Sequence, residues 1–140
     1  MTENQIGTLI VESAIQIHQE LGPGLLESVY ETVLGYDLEK KGLTVQRQVA
    51  IPLIFKGHRF DEGFRADLIV NDAVIIELKS VEKIHPVYVK QVLTYLKLTG
   101  KRLGYLLNFG EALMKTGIIR LANGLPDTSS APLRLCEKNL

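Results

Sequence analysis

Asp67 and the tripeptide Glu77-Leu78-Lys79 are charged residues set inside two otherwise apolar stretches. Those stretches, Phe64–Val70 and Val74–Ser80, have the β-branched and aliphatic character of strands. A strand alternates faces, so Glu77 and Lys79 share one face and Leu78 points the other way with Ile76 and Val74. Asp67 shares its face with Arg65 and Ile69. The connection decides whether the two acids meet. A two-residue loop at Asn71-Asp72 pairs Asp67 with Ile76 and puts the acids on opposite faces. A three-residue connection, Asn71-Asp72-Ala73, pairs Val70 with Val74 and sets Asp67 across from Glu77. We expect the second register. Two carboxylates placed opposite each other repel and destabilise a bare sheet, and a divalent cation between them reverses the sign. Carboxylate oxygens suit a hard ion such as Mg²⁺. A lysine two residues on can hold a water or a phosphate oxygen, so the set has the parts needed for metal-assisted phosphodiester cleavage. The plain alternative is an ion pair of Lys79 with either acid on an exposed sheet face.

Other residues could join this chemistry. Glu27 heads the helical series Glu27, Tyr30, Leu34, Leu38, where it is either an ordinary first-turn acid or a third ligand. Gln91 and Tyr95 are four apart and share a helix face. A glutamine can orient water and a tyrosine hydroxyl can bond a neighbour. The stretch 79–102 carries Lys79, Lys83, Lys90, Lys97, Lys101 and Arg102 against Glu82 alone, a net +5, whereas residues 1–42 carry a net −5. The basic run is either a solvated face or a surface for a polyanion, and it begins at Lys79 itself. His18 reads as a packed helix residue, His58 as a turn residue, and His85 as a residue before the helix-starting Pro86. No Ser–His–acid pattern is recognisable. Gly22-Pro23-Gly24 breaks a helix and does not form the usual phosphate loop.

The elements that must position these groups follow from periodicity. Ile6, Leu9, Ile10, Ala14, Ile17 and Leu21 predict a helix over residues 5–21 with Asn4 as N-cap. A second helix is predicted from Leu25 to Lys41, stopped by Gly42. Leu43–Phe55 reads as a strand with an edge or bulge at Pro52, and Gly57-His58 as a turn. The two charged strands follow, then a helix over Val87–Thr99 ended by Gly100. Arg102–Asn108 is a strand, with another over Gly117–Leu121. The order predicts an α/β fold with a mixed central sheet flanked by helices.

The chain has 140 residues, 46% of them hydrophobic and 23% charged, which suits one globular domain and argues against a disordered chain. We expect that domain over residues 1–124 and a loosely ordered tail over 125–140. Equal numbers of basic and acidic residues exclude a uniformly basic nucleic-acid glove. The lone cysteine, Cys136, excludes an internal disulfide and a cysteine zinc cluster. No apolar run approaches the ~18 residues of a membrane span. Met1-Thr2-Glu3-Asn4 lacks a signal-peptide pattern, so a cytoplasmic protein without membrane association is expected.

Together these residues resemble the PD-(D/E)XK nuclease superfamily. More narrowly, Gly24, Glu27 and Tyr30 spell the name of its small GxxExxY family. The resemblance spans Gly22 to Leu121 and includes Phe64-Arg65-Ala66-Asp67, Glu77-Leu78-Lys79, Gln91 to Leu96, and Leu106-Leu107-Asn108-Phe109-Gly110. It implies a restriction-endonuclease-like αβββαβ core with an extra N-terminal helix. It implies Mg²⁺, with Mn²⁺ as a substitute, held by Glu27, Asp67 and Glu77 with the Leu78 carbonyl as an additional oxygen. Lys79 would be the catalytic lysine, and Gln91 and Tyr95 match the Q-x-x-x-Y helix of exonuclease-like members. Ala66 stands where the superfamily's proline would be, a position that varies. The implied activity is hydrolysis of nucleic acid, DNA by analogy, with Lys83, Lys90 and Arg102 guiding the backbone. Small single-domain nucleases often pair to cut two strands, so a homodimer is compatible. The alternative is a non-catalytic nucleic-acid-binding or regulatory module on the same fold.

Overall fold

Thr2 starts the first helix, α1 (Glu3–Leu21), in the computed structural model, which describes residues 1–126 and 137–139. Its hydroxyl accepts from the Gln5 amide, and the Gln5 side chain accepts from the Thr2 amide. This reciprocal cap displaces the expected Asn4 cap by two residues. Asn4 instead accepts a hydrogen bond from the buried Arg120 guanidinium at 2.7 Å. The second helix, α2 (Glu27–Lys40), begins two residues later than its periodicity suggests. Glu27 is therefore its first helical residue.

β1 (Val45–Phe55) and β2 (His58–Val70) form a long antiparallel ribbon. Lys56 and Gly57, both left-handed with φ of 50° and 80°, make its two-residue turn. His58 thus opens β2 as an exposed strand residue, and β2 begins six residues before the expected Phe64. The register shifts around Pro52, between Ile51 and Leu53, as an edge-strand proline permits. β2 turns through Asn71-Asp72-Ala73 into β3 (Val74–Lys79), with Val70 opposite Val74 and Leu68 opposite Ile76. The three-residue connection is the observed one.

α3 (Pro86–Thr99) crosses over to β4 (Leu103–Asn108), which lies parallel to β3 and places Lys79 opposite Asn108. His85 caps α3, its Nδ1 accepting from the Val87 amide at 3.1 Å. β5 (Ile118–Ala122) returns antiparallel, and β6 (Glu137–Asn139) pairs parallel with it. The mixed sheet runs β1 to β6 in chain order. The tail expected over 125–140, with Cys136, falls largely on 127–136 and 140, outside the described residues.

The sheet buries both faces. α1 and α2 cover one with Ile10, Ala14, Leu34, Leu38, Leu68, Val70, Ile76 and Leu78. α3 covers the other with Val92, Tyr95, Leu96, Ile69 and Ile75. The ribbon belongs to both. Val45, Leu68 and Val70 face α1 and α2, yet Val49, Ile51, Phe64 and Ala66 pack with α3. Strict alternation would keep Val45 and Val49 on one face, and Ala66 and Leu68 on one face. The ribbon therefore turns over between these positions, where Gln48 has φ of 52°. A left-handed residue inside a strand gives the chain that extra rotation.

Asn108, fully buried, fixes the chain that leaves β3. Its Oδ1 accepts from the Val81 and Gly110 amides, both at 3.0 Å, and its Nδ2 donates to the Val81 carbonyl at 2.9 Å. Asn108→Ala removes all three partners at once. It should lower the free energy of unfolding by about 3 kcal/mol, measured by urea denaturation.

Candidate active site

The paired ladder of β2 and β3 stops at Leu68 and Ile76. One step further the strands part, and side chains take over the backbone's bonding. The Asp67 amide donates to Glu77 Oε1 at 3.0 Å, and the Leu78 amide donates to Asp67 Oδ2 at 2.8 Å. The two acids thus stand on the same opening between strands, as the three-residue register requires. A strand residue points its N–H and C=O to the same edge. The Leu78 carbonyl therefore faces this opening too, while the Lys79 carbonyl faces β4 and accepts from Phe109 at 2.8 Å.

The electrostatics are those of crowded anions. Glu77 is 6% exposed, and burial followed by the Asp67 charge pushes its pKa from 4.5 up to about 8. Glu27 adds a smaller push, while the Asp67 amide and Lys79 oppose it. Asp67 also lies above the usual carboxylate range, mainly through burial and with Glu31 contributing, against the Leu78 amide, Gln48 and Lys79. The Tyr95 hydroxyl is raised by burial and by the charges of Glu77 and Asp67. Its ring meets Phe64 edge-on at 5.5 Å. Gln91, half-buried, lies one turn earlier on the same face of α3. The Lys79 ammonium sits 4.2 Å from the centre of the Tyr88 ring, a cation–π contact that holds it over the start of α3.

Glu27 arrives from another direction. Tyr30, fully buried and stacked on Phe109 at 4.3 Å, donates its hydroxyl to the Gly22 carbonyl and accepts from the Leu25 amide at 3.2 Å. Ser80 Oγ donates to the Leu25 carbonyl at 2.8 Å. Gly24, with φ of 102°, turns the chain between these anchors. The Gly24, Glu27, Tyr30 spacing thus has a mechanical meaning: the tyrosine ties the glycine loop down and sets the first residue of α2 beside the end of β3. Glu27 is exposed and contributes to the Glu77 shift. It does not close with the pair: among the described residues no three His, Cys, Asp or Glu side chains stand together as a group that could hold a metal ion.

The basic residues do not gather as their sequence run suggests. Lys83 is exposed just after β3, and Lys90 is exposed on α3. Arg102 precedes β4 at the end remote from Asn108 and Lys79, about 20 Å away along the strand. It bonds Glu3 at 3.1 Å and 3.4 Å, so the structure sets it apart from the other two. His18 packs near Phe109 and bonds the Glu111 carbonyl through Nε2 at 2.7 Å, a structural role.

Periodicity missed a group behind Asp67. Glu31, buried one turn after Glu27, accepts from Arg47 Nε at 3.0 Å and from Gln48 Nε2 at 2.5 Å. Gln48 Nε2 also reaches Asp67 Oδ1 at 3.4 Å. The spacing of Glu27 and Glu31 was a usable signal, since residues four apart share a helix face.

A family model of the PD-(D/E)XK nuclease superfamily matches residues 4–121. The chain belongs to that superfamily, whose members are mostly nucleases that act on nucleic acid and typically use a divalent metal. No curated protein and no solved structure matches it. Among the described residues no helix is long and apolar enough to cross a membrane.

The raised Glu77 pKa links stability to pH. The folded state holds this proton up to about pH 8, whereas the unfolded chain releases it near its ordinary 4.5. Between those values the native state binds more protons, so stability falls as pH rises. With chelator present, the free energy of unfolding should decline from pH 4.5 to 8, and Glu77→Gln should flatten that slope. Urea denaturation across the pH series measures both.

Proposed function

We propose that this protein is a divalent-metal-dependent nuclease whose site is the opening between β2 and β3. The supporting observation is the exchange of backbone bonds by Asp67 and Glu77 across that opening. Glu77 accepts through Oε1 and keeps Oε2, while each Asp67 oxygen, one hydrogen-bonded to the Leu78 amide and one to Gln48, keeps a lone pair. The repulsion between the two acids, with burial, is what a cation relieves. The donor set is all oxygen, which suits Mg²⁺ or Mn²⁺. Asp67 and Glu77 would hold the ion with the Leu78 carbonyl, and Glu27 would complete the set from the start of α2. A bound ion supplies Lewis-acid polarisation and counter-charge for the scissile phosphate.

The protein's own groups do the rest. Lys79, steadied by Tyr88, orients the attacking water and offsets charge on the phosphate oxygens. Gln91 holds the nucleophile from α3, and the Tyr95 hydroxyl lies on the same side. Lys83 and Lys90 guide the sugar–phosphate backbone, a contribution that weakens with salt. Arg102 is paired with Glu3 at the other end of β4, apart from these two lysines. DNA is the substrate favoured by superfamily analogy. A second reading, a nucleic-acid-binding module without catalysis, is favoured by one observation: Glu27 does not join the acidic pair in a compact group.

Purified protein with Mg²⁺ or Mn²⁺ should cleave single- or double-stranded DNA or RNA, read on labelled substrates. Glu77→Ala and Lys79→Ala should lower the rate at least a hundredfold with an unchanged circular dichroism spectrum. Intact, folded protein that cleaves none of these polymers would leave the binding module as the better account. Tyr88→Leu removes the ring under Lys79 and should cost roughly tenfold in rate, about 1.4 kcal/mol, in the same assay.

A further inference from the structure

Gln48 is the one residue through which the backbone anomaly of the ribbon and the acidic site meet. It lies within β1 opposite Asp67, between the paired positions Arg47–Leu68 and Val49–Ala66. Its φ of 52° is a conformation that a residue with a long side chain seldom adopts inside a strand. Such an outlier persists only where the surroundings hold it. The surroundings here are visible. Its carbonyl accepts from Arg65 Nη1 at 3.2 Å, and its amide nitrogen stands between two carboxylates, Glu31 Oε1 at 2.5 Å and Asp67 Oδ1 at 3.4 Å. A primary amide has two N–H donors and can serve both acids at once. Arg47 secures Glu31 from the other side at 3.0 Å. The left-handed turn also carries the ribbon from one core to the other, so the same residue that inverts the strand delivers the amide to Asp67.

We propose that Gln48 is a positioning residue. It fixes the Asp67 carboxylate, with Oδ2 held by the Leu78 amide and Oδ1 held by Gln48, in the orientation used to bind a divalent cation. The inference rests on the metal-dependent reading above and adds a residue that the motif pattern does not contain. Partners that orient a ligand from behind commonly set metal affinity by one to two orders of magnitude, roughly 10–100-fold.

Backbone and side chain can be separated experimentally. Glycine accepts the left-handed conformation without cost, asparagine accepts it better than most residues but its amide is one methylene shorter, and alanine neither accepts it readily nor carries an amide. Wild type, Q48G, Q48N and Q48A should be titrated with Mn²⁺ alone by calorimetry, and melted in chelator. Thermal stability should rank Q48G and Q48N above Q48A. Mn²⁺ affinity should fall about tenfold in all three, without following that rank. In a D67N background, Q48G should produce no further loss of affinity. If Q48G or Q48N binds Mn²⁺ as wild type does, or if affinity merely tracks melting temperature, the positioning role is wrong while the metal site stands. If wild type itself binds no Mn²⁺, the metal-dependent reading fails and the positioning role fails with it.

Discussion

The structure turns on two carboxylates that face one another where a pair of strands comes apart. Asp67 and Glu77 each replace a missing ladder bond by accepting from the backbone of the opposite strand. That arrangement keeps buried amides satisfied, yet it sets two acids where ionising both is costly, in a place with little water. Neighbouring elements answer the resulting strain in different ways. Lys79 approaches from β3, steadied by the Tyr88 ring. The Gln48 amide approaches from β1, and Tyr30 pins the loop that brings α2 alongside. Much of the polar bonding around the end of β3 serves to hold this opening in shape.

The chain's organisation was largely readable from its residue order. Helix periods, the Gly22–Gly24 break and the Asn71-Asp72-Ala73 connection are local signals, and each maps onto an observed element. The face shared by Glu77 and Asp67 followed from counting residues in the turn, because alternation propagates one choice along the strand. The start of α1 was misplaced because Thr2 and Gln5 cap each other, a reciprocal pair that outcompetes the single side chain of Asn4. The start of β2 was missed because Lys56-Gly57 turns the ribbon six residues before its hydrophobic run becomes dense.

Other features had no local trace. A left-handed glutamine is not announced by its type, since propensity favours glycine or asparagine there. The separation of Arg102 from Lys79 has a geometric reason. Residues close in a charge run become remote when a helix and a strand carry them to opposite ends of a sheet. Arg102 leads into β4 at the end where Leu103 lies opposite Val74, whereas Lys79 lies opposite Asn108.

The inversion of the β1–β2 ribbon has a consequence for how the molecule comes apart. Val45 and Val49 sit on one continuous strand but pack under helices on opposite sides of the sheet. Loosening either side pulls on a strand that the other side also needs. The fold is laced through its middle rather than stacked in separable layers, so the two hydrophobic clusters share one fate on unfolding.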